Sequence, residues 1–223
     1  MMKCVVCGGN QFQILFSYKG GKTRLDSRPA RQVGKCLSCA LIQLTPMPSA
    51  REISKLYHED FDHFRPYLEQ INVHREYFRR VLRDVILADA RIGIGVHKTK
   101  TVSRRSLSRA LMRDGNDKNI RLLDIGCAMG ALLEEAQKQG MKATGVDISK
   151  DAVAYCKKKG LHAYEGTIHG VTPLRPPLSK LFDVVTAFQV IEHERNPLGF
   201  MRRVYTLLKK GGLVVLATPN YGG

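Results

Sequence analysis

The chain has no apolar run approaching the roughly 18 residues needed to cross a bilayer, so a helical membrane span is not expected. Its start, MMKCVVCGGN, lacks the apolar stretch of a secretory signal, and cytoplasmic localisation is the expectation that follows. Acids are scarce: 20 Asp and Glu stand against 36 Lys and Arg, a formal charge of +16. The imbalance is uneven. Residues 1–118 carry 22 bases and 11 acids, whereas residues 119–223 carry 14 and 9. Such an excess favours anionic partners (nucleic acid, nucleotide-linked substrates or acidic surfaces) without choosing among them. From Arg91 to Arg113 the chain has no acid at all, which suits a connector better than a packed element. No internal repeat is present.

Cysteines are few, and four of the six fall in two Cys-x-x-Cys pairs: Cys4 with Cys7, and Cys36 with Cys39. In a chain of 223 residues that spacing serves metal or redox chemistry more than a disulfide scaffold. Two separate pairs with no thioredoxin-like strand–helix context favour metal. Four thiolates in tetrahedral array make a structural zinc site, closed to a catalytic water. A segment this short needs such a staple to fold. Cys127 and Cys156 read as small buried residues.

Three regions follow from composition. Residues 1–48 hold the cysteine pairs and short β-like runs such as Gln11–Phe16, and form a small zinc-ribbon-like segment. Residues 49–118 are a helical region and basic connector. Ser49 is a candidate N-cap with Glu52 three residues on, and a longer helix is expected from about Pro66 to about Ala90. A short helix is expected near Leu107–Met112. Residues 119–223 alternate strand and helix: strands at 120–125, 143–146, 161–164, 182–188 and 213–217, with helices at 131–139, 151–159 and 197–210. That alternation implies an α/β fold, Rossmann-like, with a parallel sheet covered by helices on both faces.

The chemistry concentrates where the first of these strands meets its helix, at LLDIGCAMG. Gly126 and Gly130 let the backbone turn tightly and present N–H groups at a helix N-terminus. Twenty-one residues after Gly126, Asp147 ends the next strand, placed to accept from both hydroxyls of a ribose. Either a dinucleotide or an adenosyl-amino acid would suit. The spacing lacks the glycine that admits a pyrophosphate, and Asp124 would repel one while reaching an ammonium. Glu192 and His193, just past the fourth strand, stand where ligands of open α/β sheets bind, and His193 could act as a base.

Residues 119–223 resemble class I S-adenosylmethionine-dependent methyltransferases. LLDIGCAMG is similar to the family's first motif and GVDIS to its second-strand acidic motif. FDVVTAFQVIEH is similar to the fourth-strand segment, and LLKKGGLVVLATPN to the helix–turn–strand after it. The resemblance implies cofactor contacts from Asp124, Gly126, Cys127, Gly130, Asp147, Ile148 and Gln189. It implies catalysis by His193 and Glu192, as acid and base or as metal ligands. Ala128 stands where the family usually has a third glycine, and EGTI at 165–168 matches poorly where an acid near the adenine would be.

The N-terminal half, with CVVCGG, GKCLSCALIQLTPMPS and LYHEDF, resembles bacterial sugar and polysaccharide methyltransferases. There Tyr57, His58, Phe61 and Tyr67 would be candidates for a substrate wall, or for packing between helices. The implied function is methyl transfer to a small molecule, a nucleotide-linked sugar or related metabolite. The alternatives are an RNA base methyltransferase with a zinc ribbon, against which no Asn/Asp-Pro-Pro-Tyr-type tetrapeptide follows the fourth strand, and an incomplete, non-catalytic cofactor-binding fragment. The family's sheet adds two antiparallel strands after the fifth, in order 3-2-1-4-5-7-6, and the sequence stops at that fifth strand. The expectation is therefore an incomplete sheet of low activity, completed by a partner or a further C-terminal segment.

Overall fold

A computed structural model describes residues 3–18, 31–45, 47–49, 51–52, 65–86, 120–170 and 182–219. The chain divides into two compact units, residues 1–57 with 194–199 and residues 58–193 with 200–223. The connector around 91–118, the helix expected near Leu107–Met112, and Tyr57, His58 and Phe61 lie outside the described residues.

In the first unit, β1 (Phe12–Tyr18), β2 (Arg31–Cys36) and β3 (Ile42–Thr45) form an antiparallel sheet in that order. The β-like run at Gln11–Phe16 is thus realised as β1, displaced toward its C-terminal end. Ser49 and Glu52 exchange hydrogen bonds reciprocally, Ser49 N–H to Glu52 Oε2 at 2.7 Å and Glu52 N–H to Ser49 Oγ at 3.2 Å, the capping box read from the sequence. Arg31, buried at the start of β2, pairs with Glu52 at 2.7 Å.

The second unit is built on a five-stranded sheet in the order β6-β5-β4-β7-β8, parallel throughout. Its strands are β4 (Arg121–Ile125), β5 (Lys142–Asp147), β6 (Ala163–Glu165), β7 (Phe182–Phe188) and β8 (Leu208–Ala217). The helices are α1 (Arg65–Glu69), α2 (Ile71–Ile86), α3 (Ala131–Lys138), α4 (Lys150–Lys158) and α5 (Pro197–Leu207). The long helix expected from about 66 is broken at Gln70 into α1 and α2. Ser149 caps α4, its hydroxyl accepting from Ala152 N–H at 3.2 Å.

Alternation along the strands fills a core on each face. Leu122 and Val184 face one way, packing with Leu132, Leu133 and Ala136 of α3 and with Val153 and Cys156 of α4. Leu123, Ile125, Val185 and Ala187 face the other, against Phe200, Val204 and Leu207 of α5. Sheets buried on both faces need near-continuous apolar strands, which is what RLLDI and FDVVTAF supply. The first face is also covered by α2, whose Phe78 and Leu82 enter the core. Full burial of a leucine such as Leu82 contributes roughly 2 kcal/mol. Two ion pairs bind α2 to α3: Arg75 to Glu134 at 2.6 Å, and Arg79 to the buried Glu135 at 3.0 Å.

The helix expected to run to Lys210 stops at Leu207, because Leu208 already pairs with Phe182 in the sheet. An irregularity between Phe182 and Val184 absorbs the extra residues before Leu213–Ala217 settles into register. β8 therefore starts five residues earlier than the apolar run suggested, and it is an edge of the described sheet.

Candidate functional site

Strand order reverses between β4 and β7: from β4 the chain moves outward to β5 and β6, then returns to β7 and β8 on the other side. A crevice opens outside the carboxyl ends of the strands at such a switch point. Gly126 follows β4 there, and Gln189 follows β7.

The turn from Gly126 to Gly130 is held in left-handed backbone geometry, with φ of 74° at Gly126, 44° at Ala128 and 75° at Gly130. Glycine is required twice over at Gly126, since a Cβ would also fall 2.5 Å from Val190 Cγ2. Ala128 adopts the conformation that a third glycine would adopt more cheaply, so the departure from the family pattern is accommodated by strain. Among described non-glycine residues with positive φ, Ala128 and Gln189 (φ 55°) both lie at this crevice, the usual place for stored strain. Gln189 N–H is tied to Ala217 C=O at 2.8 Å.

Asp147, at the end of β5, is buried and braces the turn: Oδ2 accepts from Ala128 N–H and Oδ1 from Ser149 N–H, each at 2.8 Å. Each oxygen keeps a further lone pair for a ligand hydroxyl. Burial raises its carboxyl above the ordinary range, against the lowering effect of the Ser149, Ala128 and Ile148 N–H groups. Asp124 is buried one strand away and accepts from Thr186 Oγ1 at 2.7 Å. Its carboxyl is pushed up to about 7, mainly by burial, with the Thr186 hydrogen bond opposing and the charge of Asp147 adding. Among the described residues no cationic side chain takes part in the environment of either group. Two buried carboxylates with no cation beside them among the described residues favour a positively charged ligand.

Cys127 is buried beneath the turn, its thiol packed where a Cβ on Gly145 would come within 2.5 Å of it. Its pKa is raised by the Cys156 thiol first and by burial second. Its N–H donates to Val146 C=O at 3.2 Å, and its own C=O accepts from Gly130 N–H at 2.9 Å. Ile148 is half-buried after β5. Glu192 and His193 occupy an exposed single 3-10 turn, Ile191–His193, where His193 N–H donates to Val190 C=O at 2.9 Å.

Tyr67, expected at a substrate wall or between helices, is stacked on His74 with ring centroids 4.1 Å apart. It packs against Met129 and Ala152 beside the glycine turn. Burial raises its phenol, and the charge of Asp124 adds to the shift. Sequence reasoning passed over Thr186 and Gly145. Thr186 had a signal, as the polar residue inside the apolar run VVTAF; Gly145 is explained only by the Cys127 thiol and the Leu133 methyl packed against it.

The cysteine pairs form two knuckles of one design. Gly8 N–H donates to Cys4 C=O at 2.9 Å and Cys4 N–H to Gly9 C=O at 2.8 Å. Ala40 and Leu41 repeat these bonds at Cys36, at 2.9 and 2.8 Å. Gly8 (φ 74°) and Ala40 (φ 61°) occupy the same left-handed place. All four Sγ atoms lie within 4.8 Å of one another, with Cys4–Cys39 and Cys7–Cys36 at 3.5 Å. A tetrahedral ion with bonds of about 2.3 Å sets its sulfurs about 3.8 Å apart, so the cluster fits one. Burial opposes a charge on Cys36, yet the N–H groups of Cys39 and Ser38 and the Cys7 thiol bring it down to about 6.

A family model described as a methyltransferase domain matches residues 96–222. The chain belongs to this family. With its parallel sheet, glycine turn and strand-end acid, the second unit is a class I S-adenosylmethionine-dependent methyltransferase domain. The domain is 36% identical over 110 residues to a ubiquinone biosynthesis O-methyltransferase of Bradyrhizobium sp. (strain ORS 278), covering 45% of this chain and 40% of that protein. Its likeness to the protein of the same name from Caulobacter sp. (strain K31) is 36% over 123 residues, covering 48% and 46%. The chain thus spans less than half the length of these curated relatives. Among solved structures, an S-adenosylmethionine-dependent methyltransferase from Archaeoglobus fulgidus is 26% identical, with a TM-score of 0.37 over 48% of this chain and 49% of that one. Among the described residues no helix is long and apolar enough to cross a membrane.

Proposed function

We propose that this methyltransferase domain transfers a methyl group from S-adenosylmethionine to a hydroxyl of a small-molecule acceptor, with a nucleotide-linked sugar as the first class to test. The observation that carries the reading is the pair of buried carboxylates, Asp124 and Asp147, beside a strained glycine turn, with no cationic partner among the described residues. The cofactor supplies an electrophilic methyl on a sulfonium, along with an ammonium and a ribose. Asp147 accepts from ribose hydroxyls, with Ile148 beside the adenine. Asp124 faces the cationic portion, and the backbone of Gly126, Cys127 and Gly130 lines the turn around it. Gln189 closes the crevice from the end of β7.

His193 takes the proton of the acceptor hydroxyl at a ring nitrogen, a step worth about 100- to 10,000-fold for a positioned base. Glu192 orients it. The exposed 3-10 turn that carries both supports this assignment, since an acceptor must reach them from solvent. The name shared by the curated relatives, an O-methyltransferase, supports oxygen as the acceptor atom. Cys4, Cys7, Cys36 and Cys39 hold a structural zinc ion, which the reciprocal knuckles and the thiol spacing support.

The test is calorimetric titration of the zinc-loaded protein with S-adenosylhomocysteine, followed by methyl transfer from labelled cofactor to a panel of sugar and aromatic hydroxyl compounds. Binding at about micromolar Kd, lost in Asp147→Ala, is expected. A well-folded protein with no affinity for the product cofactor would refute the reading. Labelling of RNA rather than small molecules would reassign the substrate.

A further inference from the structure

The amino-terminal ends of the central strands carry a second concentration of charge. β4 and β5 begin side by side, with Arg121 in register with Lys142. Like charges placed directly across neighbouring strands repel, and a fold tolerates the arrangement at a cost unless an anion is shared between them. A cavity of about 520 Å3 opens here, lined by Arg121, Gln137, Lys142, Thr144 and His162 over a floor that includes Met141.

Among the described residues, neither Arg121, Lys142 nor His162 has a carboxylate partner. The Arg121 guanidinium lies 5.8 Å over the Phe182 ring. The neighbouring acid, Asp183, is committed elsewhere: it accepts from the Arg121 backbone N–H at 2.8 Å and from Lys209 Nζ at 2.8 and 3.0 Å. The carboxyl end of α3 near Gln137 contributes a dipole equivalent to about half a negative charge. The two permanent positive charges of Arg121 and Lys142 outweigh it.

We propose that this cavity is an accessory site for a phosphate-bearing small ligand, gripped at its phosphates by Arg121 and Lys142. Gln137, Thr144 and His162 supply further donors at the rim. The planar fork of Arg121 suits two phosphate oxygens at once, and Lys142 adds a mobile point charge. The volume exceeds the need of a single phosphate and falls within the range of small-ligand sites. β4 separates it from the glycine turn by its full length, about 16 Å at 3.3 Å per residue, so the two sites can fill together.

The experiment is calorimetry on the full chain at low salt with inorganic pyrophosphate and with ADP, with and without saturating S-adenosylhomocysteine. Both ligands should bind in either condition, and Arg121→Gln or Lys142→Gln should weaken both by at least about tenfold. Affinity for S-adenosylhomocysteine should not change. The substitutions spare the fold, because Lys142 is exposed and the bond to Asp183 comes from the Arg121 backbone. Equal affinity for the two ligands would mark the phosphates alone as the recognised group, and tighter ADP a nucleotide. Failure of both to bind, unchanged affinity in the variants, or displacement by S-adenosylhomocysteine would overturn the proposal. So would a single-stranded RNA that binds through Arg121 and Lys142 when neither small ligand does.

Discussion

Asp124 gives a prediction whose direction is unusual for a carboxylate. In the folded protein its carboxyl is raised from 3.8 to about 7, chiefly by burial. Folded protein therefore holds this proton more tightly than the unfolded chain does, and raising the pH between these values destabilises the fold. Moving from about pH 5 to about pH 7.5 therefore removes on the order of 2–3 kcal/mol from the ligand-free protein. His74 works the other way. Burial lowers its pKa, so its neutral form favours the fold as pH rises through the ordinary histidine range. Asp124→Asn separates the two, because it removes the titrating group while keeping an acceptor for Thr186. Urea unfolding of both proteins at the two pH values is the assay. The variant should be more stable than the parent at the higher pH, and the difference should shrink by about 2–3 kcal/mol at the lower. The variant should also lose affinity for S-adenosylhomocysteine. Parallel pH dependence in the two proteins would refute the assignment of the raised carboxyl.

Gly126→Ala and Gly140→Ala test backbone strain against close packing. Both positions have positive φ, but nothing lies within 4 Å of a Cβ at Gly140, whereas Val190 blocks one at Gly126. Thermal unfolding should show a loss of about 1 kcal/mol at Gly140 and clearly more at Gly126, with cofactor affinity falling only at the latter. Gly145→Ala should cost about 1–3 kcal/mol by overpacking against Cys127 and Leu133, and Cys127→Ala added to it should restore part of that loss. Metal analysis should find one zinc per chain; Cys36→Ser should lower its retention during dialysis against a chelator, and equal retention would count against a four-cysteine site.

β4, β7 and the end of β8 were legible as apolar runs closed by a glycine or a polar turn, and Asp147 by its spacing after Gly126. The capping box at Ser49 and Glu52 was legible because both partners sit within three residues. Longer-range causes were not. β2 and β3 carry Arg31, Gln32, Lys35 and Gln43, whose polarity hides strands that are fixed by pairing across the cysteine knuckle. The early start of β8 depends on Phe182, a partner distant in sequence. Tyr67 reads equally as substrate wall or helix packing until α1 sets it beside Met129. At the site, residue types and spacing pointed to the carboxylates, but Thr186 and the bracing of Ala128 N–H by Asp147 required the fold.

The embrace of α3 by α2 bears on where this domain can be cut. The family match starts at residue 96, yet Phe78 and Leu82 fill the core, and Glu135 relies on Arg79 as well as Lys138 for its charge. A fragment begun at the family boundary would expose the apolar flank of the helix that follows the glycine turn, and would leave Glu135 with one counter-ion. The sequence signature of the domain is thus shorter than its folding unit, which reaches back across a basic connector to a helix that the signature does not contain.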